Sequence, residues 1–396
     1  MTTKTTTSSF IPSFESCIVT DAPDQRSFDG KPVPCVLTPP QKLESPDQAS
    51  LFVKENRSQI DGALEEYGGI LFRGFPLQSH DDFNTFVESF DNYHDLTYDK
   101  SMSFAVRTKL TARICTTNEG GAGKKLEFHH EQAQTPLWPS HVFFCCLKPA
   151  EPGDGGSTGI CSSEMVYEKL KAKHPEFMAK CETVGLQYTV YAGPQSDTSK
   201  GAGRSWKSFF HVTTKEECER KMKAGGWTWE WGVGARDIKL NDDSFLKCTT
   251  PVLEAGEYFK IAPGFKKEHK TFFNQLVATT ANALEFSTVG NTKTDDENGE
   301  MAPQLRDEPT QEDIDCCVRF GNGDSIPLEV LLEAKQICED CAIDIQWQKG
   351  DVALISNYLM AHSRRPWSGP EGSRKLLASL VQEENCTSFG KTLVVL

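Results

Sequence analysis

The spacing of apolar positions changes several times along the chain, and each change predicts an element. Residues 1–45, rich in Thr, Ser, Pro and Asp, hold no sustained period and predict a loose, partly flexible N-terminal arm wrapping the body. Helical spacing begins over 49–66. It gives way to "GGILFRGFPL", a short apolar strand closed by a Gly-Phe-Pro turn, and then to "DDFNTFVESF", a second amphipathic helix. The run "HVFFCCL" (141–147) is too short for a typical helix and rich in β formers, so it predicts a buried strand. After the turn-rich "KPAEPGDGGST" comes "SSEMVYEKLKAKH", a helix opened by a serine cap with Glu164 in its first turn.

From 190 to 245 the sequence mixes Gly, Trp and Lys with weak periodicity, which predicts a lid-like insertion over a site. The acidic stretch 291–313 predicts an exposed, mobile loop. Pro327 opens a helix, and "AIDIQWQ" then alternates strictly, with Ile343, Ile345 and Trp347 on one face. A "KGD" turn returning as "VALISN" predicts an antiparallel hairpin, and "RKLLASLVQ" (374–382) a third strand. Strands at the ends of the core with helices outside predict a mainly β fold with flanking helices (α+β), an antiparallel jelly roll forming a single domain over 46–396.

The 396 residues, 38% apolar and 10% aromatic, suffice for a sizeable core. A formal charge of −14, with no Lys/Arg run longer than two, disfavours nucleic acid and anionic membranes and leaves a small-molecule substrate as the expected partner. The N-terminus lacks a signal-peptide core and no 18-residue apolar run follows, which predicts a soluble, cytoplasmic monomer or homodimer. The fourteen cysteines are expected to be reduced and buried. The lone CxxC, Cys338 to Cys341, has no second pair to complete a zinc site and is read as structural.

Candidate chemistry centres on "LEFHHEQAQTP". On a strand, His129 and Glu131 leave the same face. His362 in "LMAHSRRPW", just beyond the expected hairpin, is the candidate third ligand. Two histidines and one carboxylate on one face of an octahedron form the set that selects non-haem Fe(II) for oxygen chemistry. Arg374 can pair with the far carboxylate of a small diacid chelating the iron, with Thr158 supplying a hydroxyl and Arg364 further charge. His130 is expected to face away in a supporting or core role. Asn274, Arg204 and Trp206 are candidates for the second-substrate pocket.

These motifs, "HHEQAQ…P…PS…FF", "GDGGST", "GRSWKS", "FGNG", "WQKGDVALISN" and "HSRRPW…SRKLLASL", in this order from about 65 to 385, resemble the taurine dioxygenase-like (TauD/TfdA) superfamily, most of all its plant and fungal clavaminate synthase-like members. The resemblance implies a double-stranded β-helix binding Fe(II) and 2-oxoglutarate through His129, Glu131 and His362, with Arg374 and Thr158 on the distal carboxylate. It implies use of O2, release of succinate and CO2, and oxidation of a C–H bond in a second substrate, most often hydroxylation. One departure stands out: the family's substrate-gripping arginine, four positions after the cosubstrate arginine, is replaced by Ala378.

A metallohydrolase is disfavoured because "HEQAQ" has Gln134 where HExxH needs histidine. An iron halogenase would need Glu131 replaced by a small residue. The alternative from another class is a non-catalytic jelly-roll binding or sensor protein.

Overall fold

The strand His141–Lys148 is buried at its first six positions, as its unbroken apolar run requires, because it lies between two antiparallel partners, Val352–Ser356 and Lys375–Glu383. The protein is seen here as a computed structural model, which describes residues 11–28, 30–96, 98–119, 123–255, 268–287, 308–370 and 372–383. The sheet continues outward from Val352–Ser356 through Gly69–Phe72 and Cys35–Leu37 to Ile18–Val19, and from Lys375–Glu383 to Tyr93–Asp95 and Cys115–Thr116. One pairing, Cys35–Leu37 with Gly69–Phe72, is parallel. The described part of the arm is anchored at Phe14, Cys17 and Cys35–Leu37, which are buried.

A smaller antiparallel sheet faces it: Ile343–Ile345, Thr158–Ser162, Met360–Arg364 and Leu126–His129. Alternation along each strand divides the core. Val142, Phe144, Ala353, Ile355 and Leu380 face inward and meet Ile160, Ile343 and Ile345. Phe143, Cys145, Leu354 and Leu377 face outward, against Phe52, Phe83 and Phe86. Those phenylalanines come from helices Pro46–Glu55 and His80–Glu88, started by the Ser45 cap with Pro46 behind it and by the reciprocal Ser79–Asp82 box. Two opposed sheets with helices outside make the expected jelly roll.

The expected hairpin is not formed. Ile343–Ile345 pairs with Thr158–Ser162 in the small sheet, whereas Val352–Ser356 lies in the large one. The intervening turn crosses between layers, held by buried Asp351, which accepts from Gln348 N at 2.9 Å and pairs with Arg73 at 2.8 Å. Glycine and alternation announce a reversal without saying which sheet receives the return.

Residues 190–245 contribute to a third sheet, Thr228–Trp231, Leu246–Thr249, Leu186–Ala192 and Val318–Phe320. It is packed on Trp206, Phe209, Phe210 and Trp227, whose scattered spacing explains the weak periodicity. Of the acidic stretch, 291–307 lies outside the described residues, and Thr310 caps the helix Gln311–Cys317. All thirteen described cysteines are free thiols, and no described helix is long and apolar enough to cross a membrane.

Candidate metal centre and active site

At the edge of the smaller sheet His129 is the ladder partner of His362, which sets the two imidazoles 4.3 Å apart between ring centroids. The strand ends at His129. Glu131 is therefore not on the strand, contrary to the expectation from the HxE spacing. A turn carries it in, with Gln132 at φ 60° behind it. Asn357 anchors that turn: its Oδ1 accepts from Glu131 N at 2.7 Å, and its Nδ2 donates to Glu131 O at 3.0 Å and Pro139 O at 2.8 Å. Glu131 Oε2 ends 3.7 Å from His362 Nε2, and one donor atom from each of the three residues lies within 4.8 Å of the others.

The donors fit a divalent ion. His129 donates from Nδ1 to the Glu127 carbonyl at 2.7 Å, which leaves the Nε2 lone pair as its ligand atom. Burial, reinforced by His362, pushes His129 down to about 4 and keeps it neutral. Burial opposes the Glu131 charge, but Arg107, His362 and His129 outweigh it and hold the carboxyl well below the usual range. Neutral imidazole and ionised carboxylate are the forms that bind metal. His130 faces away: its two ring nitrogens meet the Asn357 carbonyl and, at 2.8 Å, Ser163 Oγ.

Arg374, placed just before the strand Lys375–Glu383, donates from Nε to the Gly156 carbonyl at 2.9 Å and makes no ion pair among the described residues. Gly156 stands at φ +79°, and a Cβ there would lie 2.9 Å from Arg374 Cδ and Nε, so the "GDGG" turn needs glycine to seat this guanidinium. Burial pulls Arg374 down to about 10, with Arg364 adding to the effect. Arg364 is drawn down to about 10 by burial alone and donates to the carbonyls of Asn118 and Lys124 at 3.0 and 3.1 Å. Thr158 is the ladder partner of Arg364 and accepts from the Trp347 indole at 3.0 Å. The triad, Thr158, Arg364 and Arg374 all line one open cavity.

The description of the taurine catabolism dioxygenase TauD, TfdA family matches residues 37–380. The chain belongs to this family. It is 34% identical over 368 residues to a clavaminate synthase-like protein of Arabidopsis thaliana, covering 92% of this chain and 98% of the relative. It is 25% identical over 344 residues to the dapdiamide synthesis protein DdaC of Enterobacter agglomerans, covering 86% and 92%. Among solved structures, an asparagine oxygenase in complex with Fe(II), 2S,3S-3-hydroxyasparagine and succinate matches with a TM-score of 0.43 at 10% identity over 87% of both chains.

In this TauD/TfdA member three expected pocket residues lie elsewhere. Arg204 gives its guanidinium to the carbonyls of Ser101, Ser103, Tyr98 and Ser208, bracing the loop behind the cavity wall. Trp206 is buried in the third-sheet core, with its indole on Ser244 O at 2.9 Å. Asn274 Oδ1 accepts from Leu276 N at 2.9 Å at the start of the helix Leu276–Ser287. None of the three lines the cavity. That wall is instead the helix face Ala278, Ala281, Asn282 and Glu285, at helical spacing but too short and too polar to stand out in the sequence. Arg107 was also missed. Its Nη2 donates to both Glu131 oxygens at 3.0 Å, and "AVRTKL" carries no signal of it.

Proposed function

We propose that the protein is an Fe(II)- and 2-oxoglutarate-dependent dioxygenase that couples decarboxylation of 2-oxoglutarate to succinate and CO2 with oxidation, most commonly hydroxylation, of a C–H bond in a small molecule. The observation that carries this reading is the opening of the His129–Glu131–His362 cluster and the Arg374 guanidinium into the same cavity. When bound, the iron supplies the oxygen chemistry, as a cofactor does the hard step in other such proteins.

The chain's own residues orient the groups of the site. The Glu127 carbonyl fixes the His129 tautomer, while Asn357 and Arg107 hold Glu131 ionised and in place. Arg374, poor in counter-charge and seated on Gly156, offers its fork to the distal carboxylate, and the Thr158 hydroxyl is at hand.

The test is spectroscopic. Anaerobic addition of Fe(II) and 2-oxoglutarate is expected to give a weak visible charge-transfer band that is absent in His129→Ala and His362→Ala. Wild-type protein that binds neither component overturns the reading. Succinate release on admission of air reports the competent centre.

A further inference from the structure

Gln275 joins the cavity wall to the turn that carries a metal ligand. It stands just before the helix Leu276–Ser287, is 6% exposed and lines the cavity. Its backbone is fixed at both polar groups: the N–H donates to the Tyr188 hydroxyl at 3.1 Å, and the carbonyl accepts from Thr279 N and Thr279 Oγ1, both at 2.9 Å. From that fixed backbone the side chain reaches His130, where Nε2 donates to the carbonyl at 2.5 Å. His130 lies between the ligands His129 and Glu131. Its carbonyl also accepts from Ala133 N at 3.2 Å, which closes the turn that delivers Glu131.

The His130 carbonyl decides how the Gln275 side chain is turned. Only the NH2 group can donate to it, so the oxygen is the half left over. Oε1 accepts from no described residue and is not one of the polar atoms buried without a partner, so it is open to the cavity that Gln275 lines. One side chain thus offers an unused acceptor to the cavity and commits its donor to the turn. A hydrogen bond accepted at Oε1 polarises the carboxamide and strengthens donation from Nε2, as in other hydrogen-bond chains.

The group that meets this acceptor is a donor, and charge narrows which. Among the described residues, lining cations outnumber lining carboxylates by five to three. Ferrous ion and 2-oxoglutarate cancel in charge and leave that excess in place, which disfavours an ammonium. Beyond Gln275 the wall is uncharged over Ala278, Ala281 and Asn282, and Glu285 at its far end is held by Lys124 and Gly201 N.

We propose that the second substrate carries an uncharged N–H or O–H donor, an amide or a hydroxyl, that binds Gln275 Oε1, and that Gln275 passes this contact to the turn holding Glu131. The proposal rests on the dioxygenase reading and names a substrate class for the same site.

The test pairs each donor with an isostere that lacks it: linear primary amides with their methyl ketones, and linear alcohols with their alkyl fluorides. The corresponding amines serve as charged donors. Each compound is titrated without oxygen into the iron- and 2-oxoglutarate-loaded protein, followed by calorimetry and by the charge-transfer band. Some amide or alcohol is expected to bind about three- to tenfold tighter than its isostere, the size of one neutral hydrogen bond. It is also expected to shift the band further than the isostere does. In Gln275→Met, similar in length but without the carboxamide, both differences are expected to vanish. Donors and isosteres that bind alike, a panel in which neither amide nor alcohol binds, amines that bind tightest, or differences that survive Gln275→Met overturn the proposal. A preference in binding with no difference in the band overturns the link to the turn. The wild-type band by itself reports on the dioxygenase reading. If it is missing, the same pairs are titrated into metal-free protein and the preference is judged by the same outcomes. Melting curves show whether Gln275→Met is folded. If it is not, Gln275→Asn, whose carboxamide sits one carbon nearer the backbone and loses the reach to His130, takes its place with the same expectation.

Discussion

Asn357 holds Glu131 by both of its backbone polar groups, at 2.7 and 3.0 Å, across 226 positions of sequence. One side chain thereby ties the end of the strand Val352–Ser356 to the turn that delivers the carboxylate. Replacing Asn357 with Ala leaves Glu131 N, Glu131 O and Pro139 O unmatched in a buried setting. The expected cost is roughly 1–3 kcal/mol for each group that water cannot reach. Thermal unfolding reads the loss, and an Fe(II) titration is expected to show weakened metal binding together with it. A variant as stable as wild type with unchanged iron affinity contradicts the assignment.

Gly156→Ala strains a positive-φ position and pushes a methyl into Arg374. The expected result is about a tenfold or greater rise in the 2-oxoglutarate concentration that half-saturates the charge-transfer band, the scale of one displaced charge-assisted contact. Fe(II) affinity, set by residues on other elements, is expected to hold. Equal loss of both affinities would show that the turn supports the whole site rather than Arg374 alone.

His141 is buried beside Ser140 Oγ at 2.9 Å and stacked on Tyr93, and burial with nearby Arg57 pushes it down to about 3. Its value in the unfolded chain is near 6.5, so between these limits the unfolded chain binds more protons and stability falls as pH falls. The contribution is complete above about 6.5 and is lost towards about 3, at roughly 1.4 kcal/mol per pH unit in that window. Buried His130, also pushed down to about 3, acts in the same direction. Urea unfolding at a series of pH values checks this, with a shallower slope expected for His141→Phe.

Much of the architecture could be read from the chain because its strongest patterns are local. "HVFFCCL" is a central strand for the reason its composition suggests, and the small sheet does bring His362 to His129. What escaped depends on pairings that sequence does not encode nearby. The "KGD" turn crosses between sheets because Asp351 finds Arg73, 278 positions away. Glu131 reaches its place beside His129 and His362 by a turn that Asn357 pins, which strand parity does not describe. Arg204 and Trp206 sit in a motif whose polar and aromatic groups serve backbone carbonyls and a core, which composition alone cannot separate from a pocket.

The strands Thr158–Ser162 and Met360–Arg364 place Ile160 opposite His362 and Thr158 opposite Arg364, while Gly156, two residues further, holds Arg374. His362 and the Thr158–Arg364 pair are thus two residues apart on one ladder, at roughly 3.3 Å of strand rise per residue, and the turn that seats Arg374 lies just beyond its end. On the proposed reading, the backbone acts as a fixed gauge for the length of the diacid. Side-chain exchange on the cavity wall can retune the second substrate while leaving that measure untouched.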